Sequence, residues 1–88
     1  MFHAEQAPGD LLDWALDYRP WLNGATATSS TWIVTPSTGM TLAGATMTDG
    51  VATIFVSSDQ RGQIFVVKNT ITTPTDIVSE SIEFYISG

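Results

Sequence analysis

From Met40 to Ser87 the sequence alternates large apolar side chains with small or polar ones at a period of two, and Asp49-Gly50 interrupts that alternation where a chain must reverse. A period of two sends every second side chain to the same face of an extended backbone, so it specifies strands with one buried face. Asp-Gly readily takes the positive φ angles of a type I′ turn, whose twist matches the strands it joins. "MTLAGATMT" and "VATIFVSS" are therefore the arms of a β-hairpin, with Ile54 and Val56 on one face and Phe55 on the other. In the first arm Gly44 interrupts the alternation of Met40 and Leu42, as expected for a β-bulge or a close backbone approach.

Two longer runs follow. "IFVVKNTITT" gives Phe65, Val67 and Ile71 one parity with Ile64 and Val66 opposite, and its length fits a central strand. "IVSESIEFYIS" places Val78, Ile82, Phe84 and Ile86 inward and Ser79, Ser81, Glu83 and Tyr85 outward. Glu80 shares the inward parity and is expected near a strand end where that face is still wet. Pro74 separates the two runs.

Upstream, Leu12, Trp14, Leu16 and Tyr18 alternate with Asp13, Ala15 and Asp17, which predicts a strand, although Leu11, Ala15 and Tyr18 also fit a helix. "RPWLNG" is the turn that ends it, and "STWIV" is a short strand with Trp32 and Val34 on one face. About six short strands separated by turn signals specify an antiparallel β-sandwich. Residues 1–10 carry Pro8 and Gly9 without periodicity and are expected to form an extended or flexible arm, leaving residues 11–88 as the folded domain.

Composition narrows what such a domain does. With 88 residues the core is thin, and with no cysteine neither a disulfide nor a Cys-based zinc site reinforces it. A net charge of -6 opposes binding to phosphate backbones, so nucleic acid is not an expected partner. The N-terminal "MFHAEQAPGD" lacks a basic n-region, and no run approaches the roughly 20 apolar residues of a membrane span, so no membrane partner is expected.

Catalysis is not expected either. His3 is the sole histidine and lies in the arm, which leaves nucleophile–His and His-based metal sites without partners. Asp13 and Asp17 face the same side of a strand about 13 Å apart, too far to share a proton. The acidic residues do not have the spacing of a calcium loop, and the glycines match no phosphate-cradling pattern. No cofactor, metal or small-molecule substrate is expected. Trp14 and Trp32 are expected in the core, whereas Trp21, after Pro20 in a turn, is a candidate contact residue.

Two segments carry a resemblance. "DWALDYRPWLNGATATSSTWIV" resembles the opening of small virion proteins of tailed bacteriophages of the fibre-tail adaptor type. "VATIFVSSDQRGQIFVVKNTITTPTDIVSESIEFYI" is similar to the remainder, so the resemblance spans residues 11–87. Its firmest matches are Asp17, Trp21, Leu22, Trp32, Gly62, Asn69, Thr72 and Thr73. Phe65 stands where that family has a tyrosine, and "PTDIVSES" replaces a turn that carries Gly-Arg and a later Arg.

The resemblance implies an immunoglobulin-like β-sandwich of six to seven strands and a non-enzymatic role in the phage particle, bridging other virion proteins in many symmetric copies. In that setting the arm, with Phe2 and Pro8, is expected to lie across a neighbouring subunit, with a seventh strand borrowed from a neighbour; a disordered tail is the alternative. The candidate interface residues are Phe2, Pro8, Trp21 and Tyr85. A capsid decoration (cement) protein is the alternative within the same class, and a carbohydrate-binding module that stacks sugars on Trp21 and Tyr85 is the alternative from another.

Overall fold

In the computed structural model, residues 1–22 and 24–87 are described. Asn23, inside the expected turn at 19–24, and Gly88, the last residue of the expected domain, lie outside the described residues. The elements in chain order are β1 (Phe2–Gln6), β2 (Leu12–Asp17), α1 (Arg19–Leu22), β3 (Ser29–Thr35), β4 (Thr41–Thr48), β5 (Val51–Ser57), β6 (Ile64–Thr72) and β7 (Ile77–Ile86).

The strands form two sheets, one ordered β1-β7-β6-β3 and the other β2-β5-β4. This is an immunoglobulin-like sandwich: β3, β6 and β7 hold the places of strands C, F and G, and β2, β5 and β4 those of B, E and D. Inward parities match the alternation in the sequence. Ile54, Val56, Phe65, Val67, Phe84 and Ile86 are each at most 2% exposed and fill the space between the sheets. Burying such a side chain contributes about 1.5–3 kcal/mol, so these few residues dominate the thin core. Trp14 is half-buried and packs edge-on against Phe84, with ring centroids 5.3 Å apart and planes at 76°.

Asp49 and Gly50 have φ of 51° and 81° and pair Thr48 with Val51, the geometry of the predicted type I′ turn. The register of β4 against β5 shifts between Ala43 and Thr46, placing the bulge at Gly44. A Cβ on Gly44 would stand 3.0 Å from Cδ2 of Phe55, so the close approach is real as well.

Residues 1–10 do not form a free arm. Phe2–Gln6 pair in parallel with Ile82–Ile86, so the seventh strand is the chain's own and is not borrowed from a neighbour. One pair in the sandwich is therefore parallel, against the expectation of an all-antiparallel fold. The physical reason lies in Gln6, which is 2% exposed and has its side chain fully engaged. Its Nε2 donates to the carbonyls of Asp10 (2.8 Å) and Val56 (2.9 Å), and its Oε1 accepts from Trp14 Nε1 (3.0 Å). Gly9 N–H also donates to Ser58 O at 2.9 Å, which ties the β1–β2 connection to the end of β5.

The "RPWL" portion of the expected turn is one turn of helix, α1. Asp17 caps it, with Oδ1 accepting from Arg19 N–H at 3.0 Å, and Leu22 N–H donates to Tyr18 O at 2.8 Å. Pro20 is tolerated at this position because the first helical N–H groups have no partner within the helix.

Candidate interaction surfaces

Phe2, at the start of β1, stands beside α1 across the open side of the sandwich. Phe2 is 56% and Trp21 45% exposed, and both line a hollow of about 190 Å³ with Leu16, Tyr18, Val78 and Glu80. A second hollow of about 390 Å³ runs on between β1 and β2, lined by Phe2, Ala4, Trp14, Leu16, Asp17 and Ile82 among others. Phe2, Leu16 and Asp17 line both, so the two hollows form one groove along the edges of β1 and β2.

Charge along this groove is fixed by short-range pairs. Arg19 Nε and Nη2 donate to Asp17 Oδ1 (3.0 Å) and Oδ2 (2.7 Å), a bidentate pair. That side-chain pairing holds the Asp17 carboxyl well down, at about 2, and raises the Arg19 guanidinium in turn. Glu80 Oε1 is 3.6 Å from the terminal amino group; the half-exposed carboxylate is not at a strand end as expected but the fourth residue of β7, opposite Asn69, where the groove keeps it in contact with water. Tyr18 is 6% exposed; burial, followed by the nearby Glu80 charge, pushes its phenol up to about 12.

Tyr85 and Pro8 lie elsewhere. Tyr85 is 42% exposed on the outer face of the β1-β7-β6-β3 sheet, where it stands opposite Ile64 on β6 and Glu5 on β1. Pro8 is half-buried in the β1–β2 connection. Roughly 23 Å of strand at about 3.3 Å per residue separates Tyr85 from Val78, which lies beside Trp21. Trp21 and Tyr85 thus make two surfaces and share no stacking platform.

Of the four candidate contact residues, the structure brings together Phe2 and Trp21 only. Leu16, Val78 and Glu80 join them through sheet register, which local sequence does not reveal. Ile64 had a signal, since its outward parity was legible, but its pairing with Tyr85 depends on the β6–β7 register.

His3 Nδ1 lies 3.1 Å from Glu83 Oε1, an exposed pair to which no hydroxyl among the described residues hydrogen-bonds. No group of three or more potential metal-ligating side chains occurs among the described residues. The arrangement offers surfaces for contact.

A family model described as podophage GP4 fiber-tail adaptor protein gp77 matches residues 6–84. The match covers most of the 88 residues, and the chain belongs to that family. It is a component of the phage particle, with an adaptor role. A search of curated proteins finds no match.

Proposed function

We propose that this fibre-tail adaptor family member is a non-enzymatic structural protein that joins tail and fibre, holding a different virion protein on each of two surfaces. The observation that carries this reading is the separation of its half-exposed aromatic residues. Phe2 and Trp21 flank a groove at one end of the sandwich, while Tyr85 and Ile64 stand together toward the other end on an outer sheet face. A bridge needs two independent contact surfaces, and buried aromatic anchors carry much of the binding energy in protein interfaces. The molecule is 41 Å in its longest dimension, so partners on the two surfaces need not collide.

Each surface is small, which favours many symmetric copies whose weak contacts act together. The partners are proteins, since a net charge of -6 works against phosphate-rich surfaces. Family membership supports the tail, rather than the capsid shell, as the seat of the protein.

Co-sedimentation with purified tails and, separately, with purified fibres tests the reading. The wild-type chain is expected to bind both, Trp21→Ser to lose one of them, and Tyr85→Ser to lose the other. Failure of the wild-type chain to bind either would overturn the proposal.

A further inference from the structure

Resting on the adaptor reading, we infer that the groove between β1 and β2 receives an extended, basic segment of a partner protein. The segment adds a strand beside β1 and places alternate apolar side chains against Phe2, Trp14 and Trp21.

Both walls of the groove are sheet edges: β1 is the outer strand of one sheet and β2 the outer strand of the other. An edge strand presents unpaired backbone N–H and C=O groups, and an extended peptide that joins it gains a ladder of hydrogen bonds. The five residues of β1 provide about 17 Å of edge at about 3.3 Å per residue, enough for a short strand. Between the edges the floor is apolar, with Ala4, Leu16 and Ile82 beneath the exposed ring of Phe2. A period-two segment fits such a floor, because every second side chain points into it while the others face out.

Charge decides which segment. Asp17 and Glu80 line the groove, and Glu5, Asp13 and Glu83 lie on the strands around it, Glu5 and Glu83 on the outer face beside Tyr85. Even with Asp17 paired to Arg19 and Glu80 3.6 Å from the terminal amino group, carboxylates are in excess on this side. Arg19, outside the groove's lining, is committed to Asp17, and His3, which lines the groove along β1, faces Glu83. On the opposite side of the sandwich, Ser29–Thr35 and Thr41–Thr48 carry no ionisable side chain, and β6, which flanks β3, carries only Lys68. The two open sides of the same sandwich therefore differ in charge. An acidic segment is repelled from the β1–β2 side, and one bearing Lys or Arg is attracted and steered there. A second copy of this chain does not meet the requirement, because its three basic residues, Arg19, Arg61 and Lys68, lie far apart in sequence and supply no basic strand.

The test is an NMR titration of the isotope-labelled full chain with a short synthetic peptide that alternates Lys with Val and Phe. A peptide with Glu in place of Lys serves as comparison. Amide shifts are expected to concentrate in residues 2–6, 12–17 and 19–22, with affinity for the Glu peptide lower by about tenfold or more. Asp13→Asn with Glu80→Gln should weaken binding severalfold, and Asp59→Asn with Asp76→Asn, in distant loops, should leave it unchanged.

Equal binding of the Glu peptide, equal weakening by the loop variants, or shifts centred on residues 29–35 would each overturn the inference. Concentration-dependent shifts in β1 and β2 without peptide would also overturn it, in favour of a second copy as occupant. If the chain sediments with tails and fibres yet gives one of these results, the groove inference alone fails; if it binds neither particle component, the adaptor reading fails.

Discussion

Trp14 on β2 donates its indole N–H to the side-chain carbonyl of Gln6 on β1 at 3.0 Å, a bond that spans the two sheets at their open side. Gln6 simultaneously binds the carbonyls of Asp10 and Val56, so one amide ties β1, the β1–β2 connection, β2 and β5. This clasp makes the N-terminal segment part of the sandwich and sets one wall of the groove.

Gln6→Met preserves most of the volume and leaves the Trp14 N–H and the Val56 carbonyl unpaired. Loss of partners for buried polar groups costs about 1–3 kcal/mol, so destabilisation of about 2–3 kcal/mol is expected. Urea unfolding measures it, and hydrogen exchange should show β1 amides losing protection first. A change below about 0.5 kcal/mol would mean the clasp is incidental.

Asn69 is fully buried among Phe65, Val67 and Ile71, with Nδ2 donating to Ser30 Oγ at 2.8 Å and Thr31 O at 3.0 Å. Asn69→Asp puts a carboxylate there in place of two donors. Desolvation raises the pKa of such a group, so the variant's stability is greatest below the ordinary carboxylate range and falls as pH rises. The expected cost at pH 7 is about 3 kcal/mol or more, shrinking toward pH 4, read from urea midpoints across that range. A pH-independent cost would contradict the placement.

Gly50 and Gly62 both have positive φ, but only Gly50 is crowded: a Cβ there would meet Arg19 Cγ at 2.7 Å, whereas nothing lies within 4 Å at Gly62. Both Ala variants should lose about 1–2 kcal/mol to backbone strain. Only Gly50→Ala should also displace Arg19 from Asp17. The Asp17 carboxyl, held at about 2 by that pairing, should then titrate nearer 3.8, as it should in Arg19→Ala. Because the folded value is lowered, the stabilisation from the pair is complete above the ordinary value of 3.8 and fades as pH falls toward 2. Carboxyl NMR titration reads the shift, and an unmoved midpoint in Gly50→Ala would refute the coupling.

Tyr18 gives the opposite sign at the alkaline end. Its phenol is raised by burial from 10.0 to about 12, so the folded state favours the neutral form. The associated stability is intact below pH 10 and is lost as pH rises toward 12. Comparing Tyr18→Phe with wild type at pH 7 and pH 11 isolates this contribution: the wild type should lose more stability between the two. Parallel losses would show that the phenol ionises without penalty.

Most strands were legible because their burial is local information. Ile54 and Val56, Phe65 and Val67, and Ile82, Phe84 and Ile86 declare their face by alternation, and Asp49-Gly50 declares its turn by backbone chemistry. β1 was not legible, because its only fully buried residue is a glutamine and its partner strand lies some 80 positions away. Burial of Gln6 follows from a hydrogen-bond clasp, and no hydrophobic pattern reports one. The helical turn α1 was hidden by its length, with Pro20 equally consistent with a loop.

The candidate surfaces were legible in part. Trp21 and Tyr85 stood out as aromatic residues in a turn and on an outward parity. Phe2 was singled out as part of an arm, but its position beside Trp21 depends on the parallel register of β1 on β7. The groove exists only once that register is set.

A cryo-EM reconstruction of the phage particle that carries this chain tests the account most directly. The account predicts a small seven-stranded sandwich at the junction of tail and fibre, with the β1–β2 edge against one partner and the face bearing Tyr85 and Ile64 against another. Density for the sandwich spread over the capsid shell, or contacting one protein only, would contradict it.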